Sequence, residues 1–119
     1  MAFVPVNGRT KVLFVCAQNR RRSLTAELLF RDDPRVEVRS AGVRPDARRR
    51  LGERDLAWAD VVFVMEREHK RRILERFVGL DLPPIEVLEI PDDFEFMDEA
   101  LIEMLRATLD AEFDHRLCD

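Results

Sequence analysis

The fold is indicated by the stretch Lys11-Val-Leu-Phe-Val-Cys-Ala-Gln-Asn-Arg-Arg-Arg-Ser23. Its first five residues form a short apolar run, which is typical of a parallel strand that is buried on both faces. Residues 23–31 then have the spacing of an amphipathic helix, and Asp32-Asp33-Pro34 ends it. The stretch therefore predicts a strand, a loop that begins at Cys16, and a helix.

The same alternation continues along the chain. Further strands are predicted at 36–38, 60–65 and 85–90, and further helices at 51–59, 66–77 and 98–109. Ser40-Ala41-Gly42 is expected to form a turn, 43–50 a loop, and Ile73, Leu74 and Phe77 the inward face of their helix. This order predicts an α/β fold with three layers, in which a four-stranded parallel sheet is flanked by helices. We expect one domain over 1–119, with a lead-in at 1–10 and an uncertain tail at 111–119.

Composition favours a soluble, cytoplasmic protein. Hydrophobic residues make up 46% of the 119 residues and charged residues 37%, which is typical of a globular protein. No apolar run approaches the length needed to cross a bilayer, and residues 1–10 do not have the pattern of a signal peptide. Two cysteines, Cys16 and Cys118, are too few for a disulfide framework, so reduced thiols are expected.

Charge is unevenly distributed. The net charge of −4 argues against non-specific nucleic-acid binding. Residues 1–80 contain 18 Lys/Arg and 11 Asp/Glu, whereas residues 81–119 contain 2 and 13. Arginines cluster at 20–22, 48–50 and 71–72, and the second and third clusters are interpreted as solvated faces. The first cluster follows a strand and a cysteine, and we therefore interpret it separately, as part of the loop that begins at Cys16.

The loop from Cys16 to Ser23 has the composition of an anion site. Between a strand and a helix start, its backbone N–H groups can point inward at an anion, and the helix N-terminus adds positive partial charge. That environment favours the thiolate form of Cys16, which is a nucleophile. Arg22 can contact two oxygens of a phosphoryl group, and Ser23 can donate a hydrogen bond to the sulfur. Asn19 tolerates the left-handed conformation that a tight loop needs.

Each of these residues also has a simpler interpretation. Cys16 could be a small buried hydrophobic residue at a strand end, and Ser23 could serve only as a helix N-cap. Asp92 and Asp93 could be ordinary loop acids, and His69 a solvated histidine. The spacing of Cys16 and Arg22 between a strand and a helix favours function, although spacing alone is only moderately specific.

The sequence resembles the low-molecular-weight protein tyrosine phosphatases, in the form of a short, divergent bacterial-type member. The resemblance rests first on Cys16-Ala-Gln-Asn-Arg-Arg-Arg-Ser23, followed by Ala26-Glu27 on the next helix. It continues through Ser40-Ala41-Gly42, Ala59-Asp60, Met65 and His69. It ends at Ile90-Pro-Asp-Asp-Phe94, which is similar to the acid loop of that family.

The resemblance implies a cysteine-dependent phosphomonoester hydrolase that works through a phosphocysteine intermediate. Cys16 would be the nucleophile, and Arg22 with the backbone amides of Ala17, Gln18, Asn19, Arg20 and Arg21 would bind the phosphoryl oxygens. Asp92 would be the general acid and base, with Ser23 assisting catalysis and Asn19, Ser40 and His69 supporting the loop. The implied partner is a phosphotyrosine protein or a small phosphomonoester, and phosphate or sulfate can occupy the loop. No cofactor, metal, nucleic acid or membrane is implied.

The sequence also departs from the family pattern. Leu24 and Asp93 replace two prolines, Arg21 stands where the loop often has a second cysteine, and the chain has no tyrosine. The segment 42–60 is much shorter than its counterpart, which builds one wall of the substrate pocket in that family. We therefore expect the catalytic core to be kept and the specificity wall to be lost, which puts phosphotyrosine as the natural substrate in doubt.

Two alternatives stay open at this point, one from outside the enzymes and one within them. One is a phosphate- or phosphoprotein-binding module without turnover, which would use the same loop. The other is an arsenate reductase, which needs further cysteines, of which the sequence offers only Cys118. Transport components that carry a phosphocysteine have a similar loop, but Arg22, Ser23 and Asp92 favour hydrolysis.

Overall fold

The structure is a computed structural model that describes residues 9–117, with side chains described as far as residue 114. The chain alternates strands and helices from end to end. In order, these are β1 (Thr10–Cys16), α1 (Arg22–Phe30), β2 (Val36–Gly42), α2 (Glu53–Trp58), β3 (Val61–Val64), α3 (Arg67–Arg76), β4 (Ile85–Val87) and α4 (Glu99–Leu117). The four strands form one parallel sheet in the order β2-β1-β3-β4. The predicted α/β fold class is therefore confirmed.

Strand β1 lies in the middle of the sheet and divides the core into two clusters. Side chains alternate across a strand, so Val12, Phe14 and Cys16 face α1 and α4, and Leu13 and Val15 face α2 and α3. All five are buried. Both faces of the sheet are thus covered by helices, which explains why β1 is continuously apolar from Val12 to Cys16.

Several predicted boundaries need correction. Ser40-Ala41-Gly42 is not a turn: β2 continues through it, because these residues pair with Phe14, Val15 and Cys16 of β1. Strand β4 ends at Val87, although the N–H groups of Leu88 and Ile90 still donate to carbonyls next to β3. Helix α4 continues to Leu117, eight residues beyond the predicted end at 109 and into the uncertain tail.

The inward face of α3 was also predicted wrongly in part. Ile73 and Phe77 are buried as expected, but Leu74 is 48% exposed. The third inward position is taken instead by His69, which is 4% exposed and lies one turn before Ile73. Residues four apart share a helix face, so the stripe runs 69–73–77 and leaves Leu74 beside it.

Cys118, whose role the sequence left open, lies outside the described residues, as do residues 1–8. Within residues 9–117, no helix is both long enough and apolar enough to cross a membrane.

Candidate active site

The loop of residues 17–21 starts at the carboxyl end of β1 and leads into α1. Next to it, β2 ends at Gly42, which pairs with Cys16. A Cβ atom on Gly42 would lie 2.6 Å from the carbonyl oxygen of Ala17 and 2.6 Å from Cβ of Ala47. Real Cβ atoms do not approach this closely, so glycine at position 42 lets the loop and the 43–48 segment pack together.

The carbonyl groups of residues 16–19 point to the 43–48 segment. Those of Cys16, Ala17 and Gln18 accept hydrogen bonds from the N–H groups of Val43, Arg44 and Arg48 at 3.0, 3.0 and 2.9 Å. The carbonyl of Asn19 accepts one from Nε of Arg48 at 3.1 Å. The N–H of a trans peptide points away from its own C=O. The N–H groups of residues 17–20 therefore point away from the 43–48 segment, and that of Asn19 reaches the sulfur of Cys16.

Hydrogen-bond donors surround that sulfur. Sγ of Cys16 lies 3.0 Å from Oγ of Ser23 and accepts a hydrogen bond from the N–H of Asn19 at 3.2 Å. Asn19 has a φ of 57°, in the left-handed region, as the sequence predicted. This conformation turns the chain so that its N–H reaches the sulfur. The sulfur therefore has two hydrogen-bonding partners, one from the loop and one from the start of α1.

The side chain of Asn19 orients the hydroxyl of Ser23. Its Nδ2 donates to Oγ of Ser23 and to Oγ of Ser40, both at 2.8 Å, and Ser40 in turn donates to the carboxylate of Glu27. Since Ser23 accepts from Asn19, its own hydroxyl hydrogen is left to donate, and its two acceptors are the sulfur of Cys16 at 3.0 Å and the carbonyl of Ala41 at 3.5 Å. Asn19 and Ser40, both predicted to support the loop, do contact this network behind it.

Arg22 is 2% exposed, and hydrogen bonds hold its Nη1 end. Its Nη1 donates to the carboxylate of Glu66 and to the carbonyl of Ile90, the latter at 2.7 Å. Its Nε lies 3.7 Å from Oδ1 of Asp92. The edge formed by Nε and Nη2 is the one with which an arginine can contact two oxygens of an anion, and here Asp92 lies at its Nε end. Glu66 was not singled out from the sequence.

Asp92 lies at the site, and Asp93 does not line it. A pocket of about 310 Å³ lies at the loop, and Arg44 and Asp92 contribute to it from elsewhere in the chain. Its lining residues are Cys16, Ala17, Gln18, Arg20, Arg21, Arg22, Arg44 and Asp92. Asp92 is the one acidic residue of this lining. It follows β4, while Cys16 follows β1, so the two meet because parallel strands end at the same edge of the sheet. Asn19 and Ser23 lie buried behind the pocket rather than in its wall.

His69 is one step removed from the loop. Its Nδ1 accepts a hydrogen bond from the backbone N–H of Glu66 at 3.1 Å, at the start of α3. Burial, followed by the positive charge of Arg22, lowers the pKa of His69 to about 4. The neutral ring is therefore the form that caps α3. Of the described residues it hydrogen-bonds Glu66 and not the loop, so any support that it gives the loop passes through Glu66 and Arg22.

Two arginines at the site were missed because nothing in their sequence surroundings distinguishes them. Arg44, from the 43–50 segment, lines the pocket. Arg48 belongs to the run that was interpreted as a solvated face, yet it binds Asn19 through both its Nε and its Nη2. Its neighbour Arg49 contacts Ser40 and Asp55. A charged run on a loop has no periodicity that separates such contacts from solvated positions.

Similarity to known proteins is found in the three-dimensional structure. No protein-family model matches the chain, and neither does any curated protein sequence. Solved structures do match. The YwlE arginine phosphatase from Geobacillus stearothermophilus is 25% identical, with 89% of this chain and 92% of that chain covered and a TM-score of 0.68. The tyrosine phosphatase AmsI from Erwinia amylovora is 17% identical, with 98% and 99% covered and a TM-score of 0.74.

A third structure is the tyrosine phosphatase Wzb from Escherichia coli K30 in complex with phosphate. It is 17% identical, with 90% of this chain and 98% of that chain covered and a TM-score of 0.70.

These matches cover nearly the whole chain, and they confirm the resemblance that the sequence indicated. The chain has the fold of the low-molecular-weight protein tyrosine phosphatases. That fold implies a function of the phosphatase type.

Proposed function

We propose that this protein is a phosphomonoester hydrolase in which Cys16 is the nucleophile. The observation that carries the proposal is the placement of Sγ of Cys16, 3.0 Å from Oγ of Ser23 and 3.2 Å from the N–H of Asn19, in a pocket that also contains Arg22 and Asp92. A cysteine that served only as core packing would not need two donors on its sulfur.

In the first step, the thiolate of Cys16 attacks phosphorus and the bond from phosphorus to the ester oxygen breaks. Asp92, in its protonated form, gives its proton to the leaving oxygen. The Nε and Nη2 edge of Arg22 and the inward N–H groups of the loop hold the phosphoryl oxygens, where charge is spread in the transition state. The product of this step is a phosphocysteine and an alcohol.

In the second step, water attacks the phosphocysteine. Asp92, now a carboxylate, takes a proton from that water, and the sulfur–phosphorus bond breaks. The departing thiolate is stabilised by the hydroxyl of Ser23 and the N–H of Asn19. Inorganic phosphate then leaves, which restores the starting enzyme. The substrate is a phosphotyrosine protein or a small phosphomonoester, and phosphate or sulfate alone would bind the same loop.

The decisive experiment is the hydrolysis of p-nitrophenyl phosphate by the full chain. Cys16→Ser should abolish turnover, but the variant should still bind inorganic phosphate. Cys118→Ser, which removes the other cysteine, should keep turnover. Arg22→Lys should also fail, because an ammonium group cannot reproduce the contact of Nε and Nη2 with two oxygens. Turnover by Cys16→Ser at the wild-type rate would refute the mechanism. Phosphate binding without any turnover by the wild type would instead indicate a phosphate-binding module.

A further inference from the structure

The mouth of the Cys16 pocket carries more positive charge than one phosphoryl group uses. Besides Arg22, the lining contains Arg20, Arg21 and Arg44, against Asp92 as its one acid. All three additional arginines are exposed. Within the described residues, neither Arg20 nor Arg21 is paired with a carboxylate. The protein as a whole has a net charge of −4, so this concentration of arginine is local to the pocket.

Arg44 is the member of this group with a fixed position. Its backbone N–H donates to the carbonyl of Ala17 at 3.0 Å, which ties it to the loop that would hold the phosphoryl group. Its side chain is about half exposed, and its Nε contacts Oδ1 of Asp46 at 3.1 Å. The contact occupies Nε, and the two terminal nitrogens of the guanidinium remain able to bind an anion. An arginine held in this way adds a second anion-binding position next to the first.

The rest of the lining offers little to an uncharged leaving group. No aromatic residue is among the residues that line the pocket. Phe94, the aromatic residue closest in sequence to Asp92, packs against the core cluster on the α1 and α4 side of the sheet. A bare aromatic or alkyl group would therefore meet arginine side chains and solvent, whereas a second anion would meet complementary charge.

From this arrangement we infer that the preferred substrate is a phosphomonoester whose leaving group carries a second anionic group, a carboxylate or a phosphate, bound by Arg44. The inference rests on the proposed function, because it assigns the phosphoryl group to the loop at Cys16. The same arrangement disfavours a phosphorylated guanidinium group as the substrate, since its own positive charge would face Arg44.

Binding to the Cys16→Ser variant tests the inference without requiring turnover. The matched ligands are 3-carboxyphenyl phosphate and its neutral carboxamide, measured by titration calorimetry at low salt. We expect the carboxylate to bind about fivefold more tightly, the upper end for an exposed charge pair. The preference should weaken as salt screens the pair. The carboxamide is the more electron-withdrawing substituent, so the phenol that carries it is the better leaving group. If the wild type nevertheless hydrolyses 3-carboxyphenyl phosphate with the higher kcat/KM, the preference has to come from contacts in the pocket.

Variants assign the preference to Arg44. In the Cys16→Ser background, Arg44→Gln should remove most of the preference for the carboxylate, and Arg44→Lys should keep part of that preference. Arg71→Gln, an exposed arginine on α3 paired with Glu68 and Glu75, should leave it unchanged. Two phosphotyrosine peptides, with Glu or Gln before the phosphotyrosine, show whether the second anion can come from a neighbouring side chain or has to be part of the small molecule.

Two results would overturn the inference: equal binding of the two aryl phosphates, or a preference that Arg44→Gln does not change. Failure of the proposed function gives a different result. In that case the wild type would not hydrolyse p-nitrophenyl phosphate, whatever the ratio of the two affinities. Tighter binding of the carboxamide, with stacking of its ring on arginine, would indicate an uncharged aromatic leaving group and would also overturn the inference.

Discussion

Arg48 holds Asn19 by two hydrogen bonds, from Nη2 to the side-chain Oδ1 at 2.8 Å and from Nε to the backbone carbonyl at 3.1 Å. Because Oδ1 accepts from Arg48, the Nδ2 of Asn19 is left to donate to Ser23 and Ser40. Arg48 thereby fixes which way the amide points. The hydroxyl of Ser23 is left to donate as a consequence, and the sulfur of Cys16 is the nearer of its two acceptors.

Arg48→Gln should lower kcat/KM for p-nitrophenyl phosphate by about tenfold or more, since a hydrogen bond from a charged group is worth about 1.5–3 kcal/mol. The loss should fall mainly on kcat, because Arg48 acts on the sulfur through Asn19 and Ser23 and does not contact the phosphoryl group. Arg50→Gln, in the same arginine run, is the control and should have kinetics like the wild type. A change confined to KM would show that Arg48 acts on substrate binding and not on the orientation of Asn19.

Gly42→Ala should weaken phosphate binding. The added methyl group would lie 2.6 Å from the carbonyl oxygen of Ala17, so the loop or the 43–48 segment has to move. Overpacking of this kind costs about 1–3 kcal/mol, and the displaced loop should bind phosphate about tenfold less tightly. Gly52→Ala is the control, because a Cβ atom there meets nothing within 4 Å. Titration of both variants with inorganic phosphate makes the comparison, and equal affinities would contradict it.

Glu66→Gln should reduce activity through Arg22. The carboxylate of Glu66 is the ion-pair partner at the Nη1 end of this buried arginine. Without its charge, Arg22 is less firmly oriented, and the affinity for phosphate and kcat/KM should both fall by about tenfold. Glu68→Gln, on the exposed side of α3 beside Arg71, should change neither. Inhibition by inorganic phosphate measures the affinity, and an unchanged inhibition constant in Glu66→Gln would show that Ile90 alone positions Arg22.

The effects of replacing Asp92 and Asp93 should differ in how strongly they depend on the leaving group of the substrate. General acid catalysis contributes about 100- to 10,000-fold, and most is needed when the leaving group is poor. Asp92→Ala should therefore slow the hydrolysis of an alkyl phosphate much more than that of p-nitrophenyl phosphate. Asp93→Ala should slow both substrates equally or not at all, because Asp93 does not line the pocket. The ratio of kcat/KM for the two substrates is the measurement. If both variants give the same ratio, Asp92 is not the acid.

His69 should make stability depend on pH. Its folded pKa of about 4 lies below the value of about 6.5 for a free histidine. Between these values the unfolded chain binds a proton that the folded protein does not, so the free energy of unfolding should fall as the pH drops from 6.5 toward 4. Between pH 7 and pH 5 the loss from His69 should be on the order of 2 kcal/mol.

The check is urea unfolding of wild type and His69→Gln at pH 7 and pH 5. Glutamine can also accept a hydrogen bond from the N–H of Glu66 at this helix position, but it does not titrate. The variant should therefore lose less stability than the wild type between the two pH values. An identical loss in both proteins would mean that His69 is protonated without cost in the folded state.

Much of the fold could be predicted because its signals are local. The apolar run 11–15 is continuous since β1 is buried on both faces, and the alternation of strands with helices leaves few topologies. The predicted boundaries failed where a distant partner decides them. Ser40-Ala41-Gly42 has the composition of a turn, yet it is strand because β1 lies beside it. Leu74 was assigned to the wrong side of α3, and His69 was left between a supporting and a solvated position, because hydrophobicity alone does not show that a buried, neutral histidine completes the stripe.

The sequence by itself determined the order of elements and the loop in which cysteine and arginine are separated by five residues, since both depend on neighbours along the chain. Only the tertiary structure decided what holds that loop. Arg48 on Asn19, Glu66 on Arg22 and Asp92 in the pocket join segments that are 29 to 70 residues apart. Side-chain hydrogen bonds and ion pairs depend on positions within a few tenths of an ångström. Such positions are fixed when parallel strands bring their carboxyl ends to one edge of the sheet, and no spacing along the chain encodes them.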